Sequence, residues 1–252
     1  MKRGIERKPS VRWWGAASSV LLAAAMIAGS VFWVAERRSH LPKAQPELKL
    51  QQLTTNSFEN RVLTGAISPD GKYLAYNDTK AMYLKRIETG ETRMVPQPEK
   101  LNGQKVGWEC AFWLPDSTGF VSNVHRSGTD PGQWNSQETS IWMTSVLGGA
   151  PRKLRDDAVA FSVSPDGSAI SFGTNKGKFG DREIWLMRPG GDQARKVFDT
   201  DEESSIGGFN WSRDGKRVLY IKTDQSGDTL LSRDLQSAPP PLKSLARVKR
   251  NK

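Results

Sequence analysis

Beyond residue 50 the chain alternates short apolar runs with small polar turns. In "AISPDGKYLAYND", residues 66–78, a Ser-Pro-Asp-Gly turn is followed at once by an alternating apolar run. Proline presets φ for the first corner, aspartate bonds back to nearby amides, and glycine accepts the positive φ that ends the turn. The pattern therefore predicts a hairpin, with "VLTGAI" before the turn and "KYLAYN" after it. Tyr73 and Ala75 face one side of the second strand, Leu74 and Tyr76 the other. The strand "AMYLKRI", the turn "ETGET" and the strand "RMVP" complete a four-stranded unit that is apolar on both faces.

The unit recurs as "WLPDSTGFVS", "VSPDGSAISF" and "WSRDGKRVLY". Its turn aspartates, Asp70, Asp116, Asp166 and Asp214, are 46, 50 and 48 residues apart. With them, Pro69, Gly71, Pro115, Pro165, Gly167 and Gly215 are the predicted structural residues of the turns. The second copy has Ser117 where the others have glycine, and the fourth has Arg213 where the others have proline. A sheet with two apolar faces must be covered on both, and a period near 50 residues belongs to propeller blades. The fold class predicted is all-β: a β-propeller or partial propeller of about four four-stranded blades, at about 48–100, 101–155, 156–200 and 201–245. The fourth blade ends in the proline-broken "SAPPPLKSL", a weak outer strand. Trp108, Trp113, Trp142, Trp185 and Trp211 fall at matching strand positions, as packing between blades requires.

Residues 13–34 break this pattern with 22 positions free of charge. At about 1.5 Å per residue, such a helix spans the ~30 Å hydrocarbon core of a bilayer. Trp13, Trp14 and Trp33 stand at its ends, and Lys2, Arg3, Arg7, Lys8 and Arg12 precede it. The expectation is a single-pass anchor in the inner membrane, with residues 1–12 a cytoplasmic tail and the C-terminal body periplasmic or otherwise extracytoplasmic. Its apolar run exceeds the ~7–15 residues of a signal peptide. Residues 35–47 read as a linker and 246–252 as a basic tail.

The net charge of +10 resides mostly at the two termini, leaving about +1 on the repeats. Nucleic-acid binding by the propeller is therefore not expected. A single cysteine, Cys110, excludes an intramolecular disulfide. His125, Cys110 and Glu109 have no metal-ligating spacing, and no G-x-S-x-G elbow, kinase signature or phosphate loop is present. No catalytic, cofactor or metal residue is assigned, and the expectation is a non-enzymatic chain without cofactors. The longest departure from the repeat is "HRSGTDPGQWNSQETS", residues 125–140, whose Arg126, Asp130 and Trp134 form a candidate binding loop for a protein partner or small ligand.

The motif aromatic/apolar-Ser-Pro-Asp-Gly, followed by an Ile-Trp/Tyr-Leu strand and a glycine turn, resembles the TolB-like bacterial propeller repeat over residues 48–245. The resemblance implies a membrane-anchored sensor, since related architectures place such propellers behind a membrane segment and a cytoplasmic kinase or winged-helix domain. The alternatives are a propeller that presents substrate to a separate hydrolase, and a remnant of a larger regulator. "LKLQQLTTN" before the first blade resembles the outer strand that closes such rings. Three arrangements stay open: an open arc, two chains associating to complete one ring, and a four-bladed wheel closed by residues 48–53.

Overall fold

The computed structural model describes residues 26, 29, 30, 32, 33, 36, 50–101, 103–126, 136–236 and 242–249. Two compact units are present, Met1–Gln51 and Gln52–Lys252. In the first, Met26, Gly29, Ser30, Phe32, Trp33 and Glu36 are helical. The rest of the expected anchor, residues 13–34, lies outside the described residues, among which no helix is long and apolar enough to cross a membrane.

The second unit is all β. Its first sheet contains β1 (Thr64–Ile67), β2 (Tyr73–Asn77), β3 (Met82–Arg86) and β4 (Thr92–Met94). The second contains β5 (Val106–Trp113), β6 (Gly119–Arg126), β7 (Thr139–Ser145) and β8 (Arg152–Asp156). The third contains β9 (Val159–Val163), β10 (Ile170–Lys176), β11 (Asp181–Met187) and β12 (Arg195–Asp199). The fourth contains β13 (Ser204–Trp211), β14 (Arg217–Asp224), β15 (Gly227–Asp234) and β16 (Leu242–Lys249). Each is an antiparallel meander of consecutive strands, which is the architecture of propeller blades.

Alternation in the sequence becomes burial on both faces. Three apolar cores form among the described residues, one at each seam between consecutive sheets. Ala75, Met82 and Leu84 of the first sheet meet Trp108, Trp113 and Trp142 of the second. Val121 and Ile141 meet Ala160, Ile170 and Phe172 at the next seam. Ile184 and Phe198 meet Phe209, Val218 and Tyr220 at the last. The recurring tryptophans are thus packing residues at the first seam, while Trp185 and Trp211 flank the second and third cores.

The turns are tied by their own side chains. Asp70 Oδ1 accepts the Ser68 hydroxyl at 2.6 Å and the Lys72 amide at 3.1 Å, while Ser68 Oγ accepts the Tyr73 amide. The same bonds join Ser164, Asp166, Ser168 and Ala169, and again Ser212, Asp214, Lys216 and Arg217. These donors hold the Asp70, Asp166 and Asp214 carboxyls below the usual range, the serine hydroxyl contributing most. In the second turn Asp116 instead takes the Thr118 amide and hydroxyl. Ser117 adopts φ 61° there, where Gly71, Gly167 and Gly215 sit near 70°. Its hydroxyl reaches the Asp70 amide at 3.1 Å, tying the first two turns together.

Polar pins cross the seams as well. Trp113 Nε1 donates to the Ala66 carbonyl at 2.9 Å. Asn123, 2% exposed, imitates a peptide group: it accepts from the Ala160 amide at 2.8 Å and donates to the Ala160 carbonyl at 3.1 Å. Arg93 of β4 donates to the carbonyls of Ser145 and Val146, and Arg152 of β8 to those of Pro189 and Gly190. Each arginine clamps the turn between the third and fourth strands of the next sheet.

Two expectations change at the edges. β16 pairs with β15 from Leu242 to Lys249, so the fourth sheet's outer strand is longer than "PLKSL" and runs into the expected basic tail. Residues 50–53, the described part of the supposed closing segment, lie in no strand. β16 already occupies the outer edge of β15, so that edge is not open to residues 48–53.

Replacing Asn123 by alanine leaves the Ala160 amide and carbonyl buried without partners. We expect a loss of roughly 2–4 kcal/mol of unfolding free energy, measured by urea denaturation. A change under about 0.5 kcal/mol would show that the second seam does not depend on this bolt.

Candidate functional site

The edge of the second sheet where β6 leads into the long insertion holds a cleft of about 420 Å³. Its apolar side is Leu101, Val106 and Val124; its polar side includes His125, Glu138, Asp156 and Asp157, with the amides of Gln104 and Gln137 beside them. His125 is the penultimate residue of β6 and is 6% exposed. It pairs with Gly107 on β5, and a Cβ on Gly107 would lie 2.3 Å from the imidazole Cε1. The glycine thus makes the room that the ring occupies.

The return of the insertion is fixed from the third sheet. Ser136 opens a 3₁₀ turn, Ser136–Glu138, and donates its hydroxyl and amide to Asp181 Oδ1 at 2.5 and 3.3 Å. Asp181 begins β11 and is 7% exposed, and burial pushes its carboxyl above the ordinary value. This tie carries Gln137 and Glu138 to the cleft. From the opposite side, the Ala158 amide donates to the Thr139 carbonyl at 3.2 Å, bringing Asp156 and Asp157 alongside β7. Asp157 adopts φ 51°, a left-handed conformation that aspartate tolerates better than most residues, and its carbonyl accepts the Thr174 hydroxyl.

The cleft therefore combines a buried imidazole, whose ring nitrogens can donate and accept hydrogen bonds, with exposed carboxylates and amides that bind hydroxyl or amino groups. Asp156 is paired with Lys153 at 2.7 Å, leaving Glu138 and Asp157 as the carboxylates best placed for a ligand. Glu109 takes no part: its carboxylate accepts the Asn123 amide at 3.1 Å, and burial raises its pKa. Among the described residues no group of three or more His, Cys, Asp or Glu side chains is placed to hold a metal ion. Of the candidate binding loop, Arg126 closes β6, while Asp130 and Trp134 lie outside the described residues. Gln104, Glu138 and Asp157 were not legible as site residues, because only the fold brings them together.

No protein-family model matches the chain, and no curated protein matches it. Solved structures do. An oligogalacturonate lyase in complex with manganese matches 73% of this chain and 52% of its own at 19% identity, with a TM-score of 0.55. An oligogalacturonate lyase from Vibrio parahaemolyticus matches 78% of this chain and 56% of its own at 16% identity, TM-score 0.57. A putative TolB from Agrobacterium tumefaciens matches at 16% identity over 75% of this chain and 82% of its own, TM-score 0.44. The chain spans about half the length of the two lyases, and the likeness shows a shared propeller fold. It also corrects the expectation of a non-enzymatic chain. Proteins of this fold include lyases, and the lack of a G-x-S-x-G elbow, kinase signature or phosphate loop does not exclude such chemistry.

The Asp181 tie has a definite pH signature. A carboxyl whose folded pKa is raised stabilises the fold below its unfolded pKa and loses that contribution as pH rises through the folded value. Asp181→Asn keeps an acceptor for Ser136 and removes the buried charge. Its unfolding free energy should exceed the parent's at pH 7, and the gain should shrink as pH falls toward the ordinary aspartate value of 3.8. Urea denaturation at several pH values checks this; a pH-independent difference would sink it.

Proposed function

We propose that the propeller is a ligand-recognition module for hydroxyl-rich molecules such as oligosaccharides, held at a membrane by residues 13–34 with its sheets outside the cytoplasm. The observation that carries the reading is the cleft of about 420 Å³ with buried His125 at the root of the insertion. Its carboxylates and amides accept and donate to sugar hydroxyls, and Leu101, Val106 and Val124 offer apolar surface to a ring. The fold shared with oligogalacturonate lyases adds support for a saccharide ligand. If the bound sugar reacts, His125 is the cleft's proton carrier, with Glu138 or Asp157 available to orient the hydroxyl groups.

The test is calorimetric titration with neutral and uronic oligosaccharides, alongside an ultraviolet assay for the unsaturated products of elimination. Glu138→Gln, at an exposed position, should weaken binding roughly five- to tenfold without lowering stability. Any eliminase activity should vanish in His125→Gln. Oligosaccharide binding that ignores both changes would move the site elsewhere on the propeller.

The placement has its own test. Alkaline phosphatase fused after residue 252 should be active in a bacterial host, and activity only when it is fused at the N-terminus would reverse the proposed orientation.

A further inference from the structure

The third seam departs from the repeat at the face that carries the Ser-Pro-Asp-Gly turns. β3 pairs Leu84 with Arg93, β7 pairs Met143 with Arg152, and β11 pairs Leu186 with Arg195, so the three arginines are equivalent. Arg93 and Arg152 clamp carbonyls of the next sheet. The corresponding carbonyl for Arg195 belongs to Leu235, whose amide bonds Lys216 as the Val146 amide bonds Thr118. Yet Arg195, which lines a groove with Leu235, has no hydrogen-bond or ion-pair partner among the described residues.

A second pin is missing at the same seam. Trp211 stands where Trp113 stands, three residues before the turn aspartate, but its Nε1 is buried without a partner. The equivalent acceptor, the Ser162 carbonyl, takes the Ser171 hydroxyl instead. The volumes follow. At the first seam, where Arg93 is engaged, the space beside Leu84 and Val146 is about 110 Å³. At the third seam, beside Leu186 and Leu235, it is about 550 Å³.

This enlarged groove also receives Arg213, the residue that replaces the proline of the other turns, and it too has no ion pair among the described residues. Lys216 adds a third cation. The groove's two carboxylates, Asp166 and Asp214, are occupied by turn donors. Leu186, Trp211 and Leu235 supply an apolar floor.

We propose that this groove is a binding site for a small carboxylate with an apolar body, its carboxylate held between Arg195 and Arg213 in place of the turn carbonyl that Arg195 does not bond. A free organic acid and the C-terminal residue of a peptide share this chemistry. The groove lies on the turn face, whereas the cleft lies where β6 leads into the insertion, so the two sites stand or fall separately.

Calorimetry on the full chain with phenylacetate, N-acetylphenylalanine, N-acetylphenylalaninamide and inorganic phosphate tests it. Phenylacetate or N-acetylphenylalanine should bind, and a preference between them distinguishes the free acid from the peptide terminus. The amide, lacking the charge, should bind at least about tenfold more weakly, and phosphate, lacking the apolar body, more weakly too. Arg195→Gln and Arg213→Pro, the second restoring the proline of the repeat, should each weaken binding about tenfold or more. Glu138→Gln, in the cleft, should leave it unchanged, so failure here does not touch the saccharide site. Absence of binding by both carboxylates, equal binding of acid and amide, phosphate binding as tight as the acids, or indifference to both arginine changes in chains with parental circular dichroism would each overturn the proposal.

Discussion

The second and third sheets bury apolar residues on both faces, and that single constraint organises the rest. Ala75 and Met82 need the second sheet, as Ile184 and Phe198 need the fourth. A lone four-stranded meander would leave one or both faces in water, at about 25 cal/mol for each Å² of apolar surface. Stacking is therefore a condition of folding, and the seams between sheets become the places where sequence differences have structural effect.

At the seams, packing fixes distance while polar pins fix register. Asn123 bonds across the second seam as a strand would, and Arg93 and Arg152 tether successive turns. Where the pins are all present the sheets close on each other; where Arg195 and Trp211 lack acceptors, a groove opens. The insertion of the second sheet uses the same logic on the other side. Its return to β7 is held by Asp181 of the neighbouring sheet, which gives the cleft beside His125 a fixed wall.

Much of the fold was legible because the turn motif is local. Ser68, Asp70 and Gly71 act within five residues, so the sequence alone placed the hairpins, and strand periodicity followed. β16 was harder to read: three consecutive prolines before it and cations along it argued for a frayed end, yet β15 offers an edge whose amides and carbonyls need partners. The cleft was not readable, since Leu101, Val124, Glu138 and Asp157 come from four separate stretches. Arg213 for proline was visible, but its meaning depended on Arg195 facing the same groove. A site that a propeller assembles from separate stretches leaves no linear motif in the sequence.

Each sheet is a meander of four consecutive strands, with none borrowed from a distant part of the chain. During synthesis, a sheet is complete before the first strand of its successor emerges, so no finished sheet waits for a remote strand. Assembly can then proceed from the first seam to the third in the direction of translation, each new sheet covering an apolar face that its predecessor has just exposed. The interval of exposure is set by the roughly 50 residues of one repeat rather than by the length of the whole chain.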